Sequence, residues 1–248
     1  MKMEKMYGQF AEYFDELFAY KDYPKEARFI EWAVTKKRSK GNNLLDIGCG
    51  SGTHLNLLRK RYNIFGIDKS SQMIKIARQK VKGGKFFVKD MKTFSLNHRF
   101  DTIICMFSAI NYNLNYSELE SSLKRMRDHL NSGGVLIFDL YNNTDTYKPD
   151  TVRVRTLRKK NLDLAVISQP KVTGTEYKIG YIYLAKRDGK TELFIDDHVR
   201  GIFEVSKVYA LMKRLGFKTK IYGDYSSRAW RKGKSSMPLF VGIKQVHR

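Results

Sequence analysis

Cysteine and proline are scarce in this chain, with two and four among its 248 residues. Cys49 and Cys105 lie in a glycine-rich turn and in an apolar run, so neither a disulfide framework nor a cysteine-ligated metal is predicted. Five scattered histidines form no ligand cluster, and we expect no metal site. The few prolines and 18 glycines argue against extended disorder, whereas 42% apolar residues suffice to bury a full core.

Long hydrophobic runs are missing as well. The longest, residues 102–110 and 135–140, are far shorter than the roughly 20 residues that a membrane helix needs. The charged N-terminus is followed by no apolar secretory core. These absences predict no membrane association and a cytoplasmic location.

Acidic residues are few: 25 Asp and Glu face 47 Lys and Arg, which leaves a net charge of +22. Basic runs occur at residues 36–40, 153–160 and 228–234. Such a field attracts nucleic acid, a phosphorylated small substrate or an anionic membrane surface, and a solvated basic face has the same composition. No RNA-binding, helix-turn-helix, zinc-finger or K-homology signature accompanies the runs. Charge alone therefore does not choose a substrate.

From residue 43 onward, short apolar runs alternate with helical patterns, which is typical of a parallel sheet with crossover helices. Ser70, Ser117 (with Glu120 as its capping box) and Ser206 are predicted to cap helices, and Pro24 to open another. The predicted strands are residues 43–47, 64–67, 85–89, 102–106, 135–140, 218–222 and 239–244.

Residues 152–203 depart from this pattern. Apolar and polar residues alternate there with period two, and hairpin-turn residues occur at Gly174 and Asp188-Gly189. We predict an inserted antiparallel β cap at residues 151–203 that covers a substrate cleft. Residues 1–150 and 204–248 would form the α/β core, a Rossmann-like, mostly parallel sheet with helices on both faces.

The first 20 residues carry apolar side chains at helical spacing. They predict an amphipathic helix that lies on the core or over the cleft, with these residues on its apolar face: Met6, Phe10, Phe14, Leu17 and Phe18.

A glycine-rich loop follows the first strand, where residues 46–52 read D-I-G-C-G-S-G. Glycines let a backbone turn sharply and approach a ligand. A dinucleotide site would need G-x-G-x-x-G, but Thr53 and Leu55 occupy the place of the third glycine in the two registers. The pattern instead resembles motif I of the class I S-adenosylmethionine methyltransferases, whose fold is a seven-stranded sheet with a reversed last hairpin.

The resemblance extends to the ends of the next strands. Asp68 stands 22 residues after Asp46, where that family binds both ribose hydroxyls. Asp90 and Met91 resemble the third motif, in which the acid meets the adenine amino group and the next residue offers its backbone. Residues 100–108 match the fourth motif. Four elements in order at the carboxyl ends of successive strands are the arrangement in which open α/β sheets bind ligands.

The resemblance implies S-adenosyl-L-methionine as the cofactor and S-adenosyl-L-homocysteine as the product. The residues that it assigns to the cofactor are Tyr13, Asp46, Gly48, Cys49, Gly50, Gly52, Thr53, His54, Asp68, Lys69, Met73, Asp90, Met91, Met106 and Phe107.

Within the superfamily, nearly the whole chain is similar to small-molecule N-methyltransferases of the aminosugar N,N-dimethyltransferase and glycine/sarcosine types. Phe14 replaces a tyrosine of the aminosugar enzymes, and Tyr112 stands where they often have histidine. Residues 235–238 replace their arginine-bearing turn, which leaves sugar-nucleotide specificity open; Lys232 and Lys234 are candidate replacements for that arginine.

Methyl transfer by in-line displacement needs an acceptor lone pair held about 3–3.5 Å from the methyl group. If the acceptor is an amine, its proton must leave, and the candidates to take it are Tyr112, Asp197 and His198. We therefore predict methyl transfer to a small molecule, most readily an amine, with an anionic acceptor compatible with the charge. Monomer and dimer both stay open.

Two alternatives remain. An RNA or protein methyltransferase would use the basic surface, although residues 106–109 read M-F-S-A rather than the Asn/Asp-Pro-Pro-aromatic tetrad of nucleobase enzymes. A non-catalytic module would bind the cofactor only.

Overall fold

The computed structural model describes residues 4–37, 41–145, 151–173, 176–187 and 189–245. In chain order, the strands of these residues are β1 (Asn43–Ile47), β2 (Asn63–Asp68), β3 (Lys85–Val88), β4 (Phe100–Cys105), β5 (Leu130–Asp139), β6 (Arg153–Lys159), β7 (Leu162–Thr173), β8 (Glu176–Arg187), β9 (Lys190–Gly201), β10 (Phe217–Gly223) and β11 (Pro238–Lys244). The helices are α1 (Phe14–Leu17), α2 (Tyr23–Lys37), α3 (Thr53–Leu58), α4 (Ser71–Lys80), α5 (Tyr116–His129) and α6 (Val205–Arg214).

Seven strands form one sheet in the order β10-β11-β5-β4-β1-β2-β3. Only β11 runs antiparallel to its neighbours β5 and β10, whereas the other pairs are parallel. The predicted seven-stranded, mostly parallel sheet is therefore confirmed. β5 begins at Leu130, five residues before the predicted start, because Leu130 pairs with Phe100 ahead of a register shift.

The central strands of the sheet are buried on both faces, as strands of parallel sheets are, whereas the edge strand β3 is largely exposed. Leu45 and Ile103 lie in a cluster with the apolar sides of α5 and α6. Leu44 and Ile104 lie in a second cluster with α2, α3 and α4. Successive strand residues thus alternate between two cores, which explains the continuous apolar runs in the sequence.

One predicted helix cap is confirmed and two are wrong. The Ser70 side chain accepts a hydrogen bond from Met73 N at 3.1 Å. At α5, Asn115 is the cap instead of Ser117, since Asn115 accepts from Glu118 N while the Glu118 carboxylate accepts from Leu114 N.

At α6, Glu204 takes the cap position predicted for Ser206, without a side-chain cap bond. The helix starts early because Val205, only 3% exposed, docks into the core. No helix of the described residues is both long enough and apolar enough to cross a membrane.

The predicted N-terminal amphipathic helix is also wrong. Within the described part, the segment forms short 3₁₀ turns at Lys5–Tyr7 and Ala11–Tyr13 and the four-residue α1. Its apolar residues are nevertheless buried, as Phe10 shows by stacking on Tyr183 with ring centroids 4.9 Å apart. The periodicity therefore identified which side chains are buried but not the backbone conformation, because these side chains pack against a neighbouring sheet.

That neighbouring sheet is a separate four-stranded antiparallel one in the order β6-β7-β8-β9, which confirms the predicted antiparallel insertion. Gly189 adopts φ of +78° at a turn, as predicted. The other turn residues, Gly174 and Asp188, lie outside the described residues, as do residues 38–40 of the first basic run. The division into a core and a cap at residues 151–203 stays a prediction.

Candidate functional site

A pocket opens at the carboxyl ends of β1, β2 and β4, beneath the N-terminal segment. The predicted cofactor residues that line it are Asp46, Gly48, Cys49, Gly50, Thr53, His54, Asp68, Lys69, Asp90, Met91, Met106 and Phe107. Tyr7, an aromatic candidate to face the sulfonium, also lines the pocket, and these further lining residues were not assigned to the cofactor from the sequence: Glu4, Phe14, Tyr23, Ser51, Ser70, Lys89, Lys92 and Ala109. Tyr112, predicted for catalysis, lines it too.

The glycine loop forms the floor of the pocket. Gly48 and Gly50 have φ of +71° and +53°, a region that favours glycine. A Cβ on Gly48 would lie 2.7 Å from the Cβ of Ala109, so a side chain there would displace the pocket wall. The loop therefore exposes backbone, rather than side chains, to whatever the pocket holds.

Three aspartates line the same pocket. Asp68 accepts hydrogen bonds from Gly50 N at 2.9 Å and Ser70 N at 2.8 Å. Burial raises the pKa of Asp68 although these bonds oppose the shift. Asp46 is buried, its Oδ1 has no partner among the described residues, and burial raises its pKa well above the usual range. Asp90 Oδ2 lies 3.4 Å from Lys69 Nζ.

A left-handed turn at Phe107 and Ser108, with φ of 57° and 58°, forms another part of the wall. Asp139, at the end of β5, holds it by accepting hydrogen bonds from Phe107 N at 2.9 Å and from Ser108 N. Tyr225 Oη donates to the same carboxylate at 2.6 Å. Sequence reasoning missed Asp139, although it ends an apolar strand just as Asp68 does.

The N-terminal segment is fastened over the glycine loop. Asp15 accepts from Thr53 Oγ1 at 2.9 Å and from Ser51 Oγ, and it forms an ion pair with Lys80. Ser70 Oγ donates to the carbonyl of Tyr7. These bonds make the segment a roof of the pocket.

His54 reaches the pocket, but its ring is engaged elsewhere. Its Nε2 lies 2.7 Å from Glu26 Oε2, and Glu26 Oε1 lies 2.9 Å from Lys21 Nζ. Burial alone would raise the pKa of Glu26. The bonds with His54 and Lys21 outweigh burial and hold this pKa below its ordinary value. His54 therefore anchors α2 to α3 at the pocket edge.

Tyr112 is the centre of a polar cluster. Its Oη lies 2.8 Å from Tyr7 Oη, 3.2 Å from His198 Nδ1 and 3.1 Å from Arg200 Nη2. Burial raises the pKa of Tyr112 well above its usual value. Burial, with the charge of Arg200, lowers the pKa of His198 to about 3, so its imidazole is neutral near pH 7.

The structure does not bring every predicted residue to the pocket. Asp197 is exposed on the opposite face of β9 from His198, because neighbouring strand residues point to opposite faces. Tyr13 Oη accepts from Arg187 Nη2 at 3.1 Å outside the lining, and Met73 is fully buried beneath the N-terminal segment. Gly52, with φ of +79°, caps α3 behind the loop.

Within the described ranges, no group of three or more His, Cys, Asp or Glu side chains is placed to hold a metal ion.

The buried His198 predicts a pH-dependent stability. Its folded pKa of about 3 lies below the 6.5 of an unperturbed histidine, so between these values the unfolded chain binds more protons. The contribution of neutral His198 to the free energy of unfolding is therefore complete above about pH 6.5. It is lost as the pH falls, by at most about 1.4 kcal/mol per pH unit. Urea unfolding between pH 4.5 and 7 should show a flatter slope for His198→Asn than for wild type. The exposed His98→Asn is the control; equal slopes in all three proteins would refute the assignment.

A family model described as a methyltransferase domain matches residues 44–134. A dTDP-3-amino-3,4,6-trideoxy-alpha-D-glucopyranose N,N-dimethyltransferase from Streptomyces venezuelae is 26% identical over 225 residues, 90% of this chain and 92% of that enzyme. A dTDP-3-amino-3,6-dideoxy-alpha-D-glucopyranose N,N-dimethyltransferase from Streptomyces fradiae is 29% identical over 180 residues, 71% of each chain.

Solved structures share the fold. A sugar N-methyltransferase from a Streptoalloteichus species superposes with a TM-score of 0.86 at 23% identity, covering 99% of this chain and 95% of that one. The Streptomyces venezuelae protein DesVI superposes with a TM-score of 0.77 at 26% identity, covering 90% and 92%. The likeness includes the β6–β9 sheet and the N-terminal segment, since almost the whole chain is covered.

Proposed function

Because this chain is a class I S-adenosylmethionine-dependent methyltransferase, we propose that it methylates an amine of a small acceptor, of which an amino sugar is the favoured kind. The pocket supports this most directly, since the N-terminal segment roofs it and leaves a cleft suited to a small molecule. The two dimethyltransferase relatives are both named for aminosugar acceptors.

The pocket suits S-adenosyl-L-methionine. The unpartnered Oδ1 of buried Asp46 offers an acceptor for an amino group, and the Asp68 carboxylate offers one for ribose hydroxyls. Asp90 and Met91 would hold the adenine. Aromatic faces at Tyr7 and Phe107 suit a positive sulfonium. When bound, the cofactor supplies the electrophilic methyl group.

The protein's own contribution is then alignment, because in-line displacement requires no covalent intermediate on the enzyme. The hydroxyls of Tyr7 and Tyr112 are placed to accept a hydrogen bond from the acceptor amine and to fix the direction of its lone pair. With its pKa raised, Tyr112 stays protonated, and with a pKa of about 3 His198 is a weak base. The cluster therefore orients a neutral amine rather than removing its proton.

A methyl-transfer screen with radiolabelled cofactor tests the proposal. Purified protein is offered amino sugars, nucleotide-linked amino sugars, amino acids and RNA, and label is expected in a small-molecule amine. Label in RNA or in protein would favour the basic-surface alternative over this one. Absence of cofactor binding by calorimetry would overturn the assignment of the pocket itself.

A further inference from the structure

Arg200, on the inner face of β9, lies directly behind the pocket wall. Its Nη2 donates to Tyr112 Oη at 3.1 Å, and its Cζ lies 4.8 Å from the centroid of the Tyr112 ring. Tyr112 itself lines the pocket. The guanidinium is therefore one side chain away from the space that an acceptor would fill.

The charge of Arg200 meets the face of the Tyr112 ring but no carboxylate within the described residues. Among the described residues it forms no ion pair with a carboxylate, and its Nε is buried without a hydrogen-bond partner. By contrast, Arg158 pairs with Asp163 at 2.9 Å although its side chain is 87% exposed. Removing a cation from water costs several kcal/mol unless a counter-charge repays it. An unpaired, largely buried guanidinium beside a pocket points to a counter-charge supplied by a ligand.

The neighbours of Arg200 do not provide that counter-charge. Tyr7 and Tyr112 are uncharged near pH 7, because burial raises the pKa of both hydroxyls, and His198 is neutral. Asp196, on the same face of β9, accepts from Lys5 N and lies 3.3 Å from His198 Nε2. Asp196 keeps its own negative charge, and Glu4 lines the same pocket, but among the described residues neither forms an ion pair with Arg200.

We infer that Arg200 and Tyr112 form an anion subsite for the methyl acceptor, which carries an oxyanion group, phosphate or carboxylate, near its amine. This inference rests on the proposed function and narrows its acceptor class. Planar guanidinium donors match the oxygens of both groups. Lys232, a candidate for phosphate on sequence grounds, is 75% exposed and pairs with Asp145 at 2.6 Å, so its charge is already matched.

Calorimetric titration of inorganic pyrophosphate and of acetate into protein saturated with S-adenosyl-L-homocysteine tests the subsite. Wild type is expected to bind at least one of the two anions. The anion that binds more tightly indicates whether the acceptor carries a phosphate or a carboxylate. Arg200→Gln should weaken that binding at least tenfold. Arg158→Gln, which removes the same charge from an exposed site, should change it less than twofold.

Equal anion affinity in Arg200→Gln and Arg158→Gln, or no anion binding by wild type, would overturn the subsite. Arg200→Lys keeps the charge but loses the planar donors; it should weaken binding at least threefold and serves as the test if the glutamine variant does not fold. Binding of S-adenosyl-L-homocysteine is measured first. Its absence in wild type counts against the proposed function, whereas its presence without anion binding counts against the subsite alone.

Discussion

Replacing Asp68 with alanine is expected to weaken S-adenosylmethionine binding by about 100-fold or more. The carboxylate is placed to accept hydrogen bonds from ribose hydroxyls, and charge-assisted bonds contribute about 1.5–3 kcal/mol each. Two such bonds at the lower value give about 3 kcal/mol, which is roughly 100-fold. The same change removes the acceptor of Gly50 N and Ser70 N, so the glycine loop also loses its support.

Isothermal titration of wild type and variant with the cofactor measures this effect. Asp163→Ala is the matched control, because Asp163 is exposed on β7 and its ion pair within the described residues is with the exposed Arg158. Asp68→Asn should fall between the two, since the amide keeps one acceptor oxygen but loses the charge. An unchanged dissociation constant for Asp68→Ala would mean that the ribose lies elsewhere.

The residues at the strand ends were predictable because local sequence determines them. A strand ending in an acid, followed by glycines with positive φ, is a pattern of adjacent residues, and Asp46, Gly48 and Gly50 follow it. Asp68 and Asp90 could be predicted to lie beside them, because parallel strands bring their carboxyl ends to one edge of the sheet. Strands β1, β2, β4 and β5 were readable from the sequence because each is a short apolar run beside a helical pattern.

The parts that could not be predicted depend on contacts between distant residues. Asp15 pairs with Lys80, which is 65 residues further along the chain, and Tyr112 forms a hydrogen bond with Tyr7, 105 residues before it. Nothing local marks such pairs. Asp197 and His198 were equal candidates in the sequence, and only the register of β9 decides which of them faces inward.

Charges of both signs surround the site. Asp46, Asp68 and Asp90 line the pocket at the strand ends, where lysines lie beside them and Lys69 Nζ is 3.4 Å from Asp90. Arg200 lies behind Tyr112. With S-adenosylmethionine at the strand ends, its amino group and sulfonium would meet the aspartates, and an anionic acceptor beside Tyr112 would meet Arg200.

Tyr112→Phe is expected to lower kcat/KM by about 100-fold, because a displacement of about 1 Å in the reacting groups costs that much. The hydroxyl joins Tyr7, His198 and Arg200, so its loss leaves three polar groups without their shared partner. The affinity for S-adenosylmethionine should stay within threefold, since the ring that lines the pocket is kept. Steady-state kinetics with the acceptor found in the screen, together with cofactor titration, separate the two effects.

The control is Tyr209→Phe, which removes a hydroxyl from an exposed residue of α6 and should leave the kinetics unchanged. The pH profile distinguishes alignment from proton removal. Because the pKa of Tyr112 is raised and that of His198 is about 3, neither should titrate between pH 6 and 9. The profile should therefore follow the acceptor amine alone and keep its midpoint in Tyr112→Phe. A midpoint that disappears in the variant would make Tyr112 a base, and full activity in the variant would place the acceptor away from this cluster.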